Sequence, residues 1–119
     1  MLIFVPKWRI INIEEGADEY MFTIQEIVER LVPVFEANGI KTAILFGSYA
    51  KGTATDLSDV DLVIVTAERP RGLRAIGIKS RIGDALPIPV DVFFQFELIP
   101  DGRADKEVRE TGVIIYEAA

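Results

Sequence analysis

Seven residues, VDLVIVT from Val60 to Thr66, constrain the fold more than any other stretch of this chain. Apart from Asp61 and the closing threonine they are aliphatic and mostly β-branched, with no alternation of apolar and polar positions. An unbroken run of this kind is a strand buried on both faces. The chain must therefore build a sheet around this strand and cover it with helices. Yet Asp59 and Asp61 stand at its entrance. Two residues apart on a strand, they point to one face, while Val60 and Leu62 point to the other.

The surrounding sequence supplies the other layers. TIQE, Thr23 to Glu26, is a capping box, and Phe22 and Ile27 sit where a hydrophobic staple would. Ile24, Ile27, Val28, Leu31, Val34 and Phe35 then form one broad apolar helix face, with a kink expected at Pro33 and a stop at Asn38-Gly39. KTAILF is a strand, and residues 69–86 are helical in spacing but weakened by Gly77 and Gly83. Pro89–Glu97 reads as a third strand, Asp101–Glu110 as a polar helix or loop that forms a solvent-facing connection, and GVIIYE as the last strand. The expected fold class is α/β (α+β): one domain over residues 1–119, with a mixed, partly parallel sheet flanked by helices. Its core spans 23–116. Leu2–Val5 and Arg9–Ile13 read as short strands in an N-terminal stretch, 1–20, that matches no assignable pattern.

Composition removes whole classes of chemistry. The chain has no cysteine and no histidine, which excludes disulfides, thiol nucleophiles, zinc held by sulfur or imidazole, and Ser-His-Asp hydrolysis. A bound metal must be a hard cation held by oxygen, such as Mg²⁺, Mn²⁺ or Ca²⁺. A net charge of −6 argues against strong sequence-independent DNA binding, which needs Lys and Arg to neutralise phosphates. No stretch is long enough to span a membrane, and the start lacks an export signal, so the chain reads as soluble and cytoplasmic.

Asp59 and Asp61 on one face repel each other at neutral pH unless a proton, a basic group or a cation intervenes. Asp91 repeats the pattern: one aspartate entering the apolar strand PVDVFF. If that strand lies beside Val60–Thr66, the three carboxylates converge. They could then hold two divalent ions about 3.5–4 Å apart, the spacing of in-line phosphoryl chemistry. Gly47-Ser48 follows the strand AILF. The glycine lets backbone approach a ligand, and Ser48 can open a short helix whose amides and hydroxyl seat a phosphate, with Lys51 one turn on. This is not a Walker A loop, because Thr53 stands where lysine is required, and DLSDVDLV lacks the glycine and distal glutamate of an EF-hand.

GSYAKG followed by SDVDL, with a third aspartate on a later strand, resembles the signature of the DNA polymerase beta-like nucleotidyltransferase superfamily. In length the chain is similar to its minimal nucleotidyltransferases (MNT), often antitoxin partners of HEPN-type toxins. The resemblance covers Thr23 to Tyr116. It implies the polymerase beta-like fold, with Gly47 and Ser48 holding the nucleotide triphosphate and Asp59 and Asp61 binding metal. Asp91 would complete the metal site and help deprotonate the acceptor hydroxyl. The family often has arginine at Lys51, which as lysine keeps the charge but loses the bidentate fork.

The expected activity is Mg²⁺-dependent transfer of a nucleoside monophosphate, AMP from ATP, to a hydroxyl, releasing pyrophosphate. Two ions are expected, with Mn²⁺ an alternative. A chain this short has no room for a domain that grips base and acceptor, so a second copy or a HEPN-type protein, with a tyrosine as acceptor, would supply those contacts. The competing readings are an antitoxin that neutralises its partner by masking it, and a nucleotide-binding sensor. Arg69, Arg71, Arg74, Lys79 and Arg81 form a basic stretch that reads first as a solvated helix face, and Trp8 and Tyr49 read as core residues.

Overall fold

The computed structural model describes residues 22–119, so the two short strands expected before residue 14 and the placement of Trp8 lie outside the described residues. Helix α1, Ile24–Ala37, starts where the capping box requires: Thr23 Oγ1 accepts from the Glu26 amide at 3.1 Å, and Glu26 Oε1 accepts from the Thr23 amide at 2.9 Å. The helix continues through Pro33, which lies on its exposed side. It ends at Asn38, whose side-chain amide donates to the Val34 carbonyl at 2.7 Å, before Gly39 turns the chain at φ +68°.

The remaining elements are β1, Ile40–Phe46; the single-turn helix α2, Ser48–Lys51; β2, Val60–Thr66; α3, Gly72–Asp84; β3, Val90–Phe94; α4, Arg103–Thr111; and β4, Val113–Glu117. They form a four-stranded sheet in the order β3-β2-β1-β4. β1 runs antiparallel to both β2 and β4, and α3 carries the chain back so that β3 lies parallel to β2. The sheet is mixed, and β2, apolar but for Asp61 and Thr66, is interior, as its composition demands.

The expected long strand over 89–97 is cut short. Beyond Phe94 the chain turns through one 3₁₀ turn, Gln95–Glu97, because Glu97 Oε1 accepts from the Phe94 amide at 2.8 Å. Lys79 holds that carboxylate from α3 at 2.7 Å and its hydrogen bonds keep its pKa low, although burial acts the other way.

The main core lies between the sheet and helices α1 and α3. Ile27, Leu31 and Phe35 from α1 and Ile78 and Ile82 from α3 meet Leu45, Val60, Leu62, Ile64 and Phe94. Tyr49 packs into the same core. The other face of the sheet is covered more thinly, by α4, and there Phe46 and Val63 are also buried. β2 is thus packed on both sides, and the only polar residue inside it ahead of Thr66 is Asp61.

Leu62→Ala should cost about 2–5 kcal/mol by emptying a fully enclosed site, Thr23→Ala about 0.5–2 kcal/mol by removing the cap, and Ile76→Ala, at an exposed position of α3, less than about 0.5 kcal/mol. Urea unfolding of the three variants checks this order; an Ile76→Ala loss as large as that of Leu62→Ala would contradict the assignment of the core.

Candidate active site

β1 and β2 end and begin at the same edge of the sheet. Pairing places Phe46 opposite Asp61 and Asp61 opposite Asp91, so the three share a face across three strands. Val60 and Leu62, one position away on either side, are buried in the main core, so Asp61 has no freedom to change faces.

Directly after β1, Gly47 adopts φ +77° and ψ −153°, a region closed to residues with a side chain. A Cβ at this position would also collide with Asp61 Oδ2. Glycine was expected here to let the backbone approach a ligand; the group that lies against it in the structure is the Asp61 carboxylate. Ser48 then opens α2, Gly52 closes it in the left-handed conformation, and the Gly47 carbonyl accepts from the Lys51 amide at 3.0 Å. The Gly47 amide is occupied: it donates to Thr111 Oγ1 at 2.9 Å.

A cavity of about 510 Å³ opens at this edge, within the range of small-molecule sites. Ser48 and Lys51 line one side and Asp61 lies deeper than the exposed Asp91, with Phe46 and Phe93, ring centroids 6.0 Å apart, beside them on the same face of the sheet. Arg103, Ala104 and Glu107 of α4 form the remaining wall. The cavity therefore brings together Ser48, Lys51, Asp61 and Asp91. Gly47 shapes its rim. Asp59 is exposed and does not line it, although its charge is felt at Asp61. Among the described residues no three acidic side chains stand together as a preformed metal cage.

Asp61 is the electrostatic focus. Its pKa is raised from 3.8 to about 6, first by burial and then by the negative charges of Asp91, Glu107 and Asp59, with Arg103 acting in the opposite sense. Negative charge here is under-compensated. The donor set suits Mg²⁺ in its usual protein setting, where one or two carboxylates share the ion with substrate phosphates and water. Asp61 and Asp91 would be those carboxylates.

Arg103, Glu107 and Thr111 were missed by the sequence reading, which placed Asp101–Glu110 in solvent. The signal present was their spacing: three polar residues four apart share a helix face. Nothing in so polar a segment showed that this face turns inward.

A second cavity, about 580 Å³, lies where α3 begins beside the 3₁₀ turn. Arg69, Arg71 and Lys79 of the basic stretch line it, with Arg69 stacked 4.1 Å from the Phe96 ring centroid. Its carboxylate is Glu97, already bonded to Lys79. It is the larger cavity but lacks paired acids, so the carboxylate-lined cavity is the candidate active site.

Comparison with known proteins agrees with this geometry. Two proteins of Methanocaldococcus jannaschii, provisionally named protein adenylyltransferases, are similar in sequence. One is 32% identical over 69 residues, covering 58% of this chain and 74% of that protein. The other is 34% identical over 76 residues, covering 60% and 78%. In solved structures the fold is similar to a toxin–antitoxin protein crystallised with AMP-PNP (TM-score 0.64, 19% identity, 76% of this chain and 73% of that one). It is also similar to a chain in the complex of a tri-AMPylated Shewanella oneidensis HEPN toxin with its MNT antitoxin (TM-score 0.61, 16% identity, 81% and 74%). The sequence profile described as "Polymerase beta, Nucleotidyltransferase" matches residues 29–119, a span holding every residue of the cavity, and the chain belongs to that nucleotidyltransferase family.

Proposed function

We propose that this protein transfers AMP from ATP to a hydroxyl group of a partner protein, as an MNT-type antitoxin acting on a HEPN-type toxin. The observation that carries the reading is the register of Asp61 with Asp91 in a cavity whose side wall is Ser48 and Lys51. Paired acids beside a hydroxyl and an ammonium suit a triphosphate that arrives with a divalent cation. The names of the M. jannaschii relatives support protein adenylylation, and the AMP-PNP and AMPylated-toxin titles of the structural neighbours support ATP and a HEPN-type partner.

In this mechanism the Ser48 hydroxyl and the Lys51 ammonium bind the β- and γ-phosphates and leave the α-phosphorus over Asp61 and Asp91. Asp61 and Asp91 would hold a divalent cation such as Mg²⁺, which would supply charge neutralisation when bound, and the charge of the exposed Asp59 adds to theirs. The acceptor hydroxyl, a tyrosine of the partner, bonds to the α-phosphorus as the bond to the bridging oxygen breaks and pyrophosphate leaves. Asp91, exposed at the cavity mouth, receives the hydroxyl proton. Phe46 and Phe93 line the cavity beside the carboxylates and lower its polarity. Positioning and charge stabilisation carry most of the rate, as in other phosphoryl transfers.

Incubation with α-labelled ATP, Mg²⁺ and the candidate HEPN-type partner should place label on the partner. Asp61→Ala and Asp91→Ala should each lower the rate by at least about a hundredfold, and Asp59→Ala/Asp61→Ala should abolish it. Full neutralisation of the partner by that double variant, with no label transferred by either form, would replace transfer with masking.

The raised pKa of Asp61 has a signed consequence. The folded chain holds this proton more tightly than the unfolded chain, so the group's contribution to stability is greatest below pH 3.8 and is lost as pH rises through about 6. Asp61→Asn should therefore melt above the unsubstituted protein at pH 7.5, with the difference closing towards pH 4. Mg²⁺ with ATP should raise the melting temperature of the unsubstituted protein at pH 7.5 and do so less for Asp61→Asn. A melting difference independent of pH would show that Asp61 is not the strained group.

A further inference from the structure

The turn that carries Ser48 is held by a residue 64 positions away. Strand pairing between β1 and β2 stops at Phe46, so the buried Gly47 amide has no ladder partner in β2. It is satisfied by Thr111 Oγ1 at 2.9 Å, while the same hydroxyl donates to the Glu107 carbonyl at 2.7 Å. A threonine bonding back to the carbonyl four residues earlier is common in helices. Here that bond fixes the hydroxyl's proton inside α4 and leaves a lone pair aimed at Gly47. Gly112, the next residue, lets the helix end approach β1: a Cβ there would run into the Val108 carbonyl and lie 3.1 Å from Ile44 Cγ2.

The geometry points to Thr111 as a positioning residue for nucleotide binding. Its hydroxyl fixes the Gly47 peptide, which keeps Ser48 at the cavity wall beside Asp61. It also ties that wall to the opposite one, because Arg103 and Glu107 lie on the same face of α4, eight and four residues before it. The two walls are thereby set at one separation. This inference rests on the reading of the cavity as a nucleotide site.

The test compares the full-length protein with Thr111→Val and Thr111→Ser, measuring Mg²⁺-ATP affinity by calorimetry, AMP transfer, and melting temperature. Valine keeps the shape but leaves the Gly47 amide without its acceptor; serine keeps the hydroxyl. Thr111→Val should lose about ten- to a hundredfold in ATP affinity and in kcat/KM at temperatures well below its melting point, and Thr111→Ser should recover most of that loss. If Thr111→Val does not fold, Thr111→Cys, similar in size with a weaker acceptor, takes its place. Undiminished ATP affinity and transfer in a folded Thr111→Val, or a Thr111→Ser as impaired as the valine variant, would overturn the role of Thr111 alone. Absence of ATP binding by the unsubstituted protein would overturn the nucleotide reading of the cavity, and this inference with it.

Discussion

Packing of β2 on both faces governs the rest of the structure. Leu62 and Ile64 are held in the main core and Val63 is buried on the opposite face. A shift of one residue would put every one of these side chains on the wrong face, and no such shift is compatible with a closed core. Fixing that register also fixes Asp61, which must then sit between Phe46 and Asp91 with α4 over it. Its partial burial and unfavourable charge are consequences of a strand whose hydrophobic residues leave the aspartate no alternative position.

Much of this was legible in the sequence, for identifiable reasons. The capping box at Thr23, the apolar stripe of α1 and the unbroken run of β2 are local patterns whose physics does not depend on the rest of the chain. Ser48, Lys51, Asp61 and Asp91, which line one cavity, were readable as a candidate set because nothing structural required them all together; that Asp59 stays exposed outside it was not readable, because its spacing from Asp61 is that of two residues on one strand face. The end of β3 was not readable: apolar alternation ran on through Phe96, and only the hydrogen bond from the Phe94 amide to Glu97 stops the strand. Nor was α4 readable as a wall of the site. A short helix with no fully buried residue carries no hydrophobic signal of where it docks, and its docking rests on one hydroxyl and on a glycine that admits close approach.

Among the described residues the second face of the sheet is only thinly covered. Two helices of 14 and 13 residues enclose one side, and a helix of nine residues shelters part of the other. The cavity consequently has two walls but stays open towards solvent at Asp91, where an acceptor would approach. Its apolar lining, Phe46 and Phe93, lies beside the carboxylates on the same face of the sheet.

Stability and chemistry pull against each other at a single point. Gly47 occupies a backbone region that only glycine enters readily, and it does so against the carboxylate of Asp61. Asp61 is itself the residue whose charge the fold accommodates least well. A sequence selected for stability alone would replace either one: a smaller neutral residue at 61, or a relaxed turn at 47. Keeping both requires support from elsewhere, and at Gly47 α4 provides it through the Thr111 hydroxyl. At Asp61 the same helix gives no net relief, because the negative charge of Glu107 outweighs the opposite effect of Arg103. The polar helix thus holds the strained turn in place while leaving the carboxylate's charge for a bound cation to offset, and its cost in packing is small because the hydrophobic work is done on the opposite face.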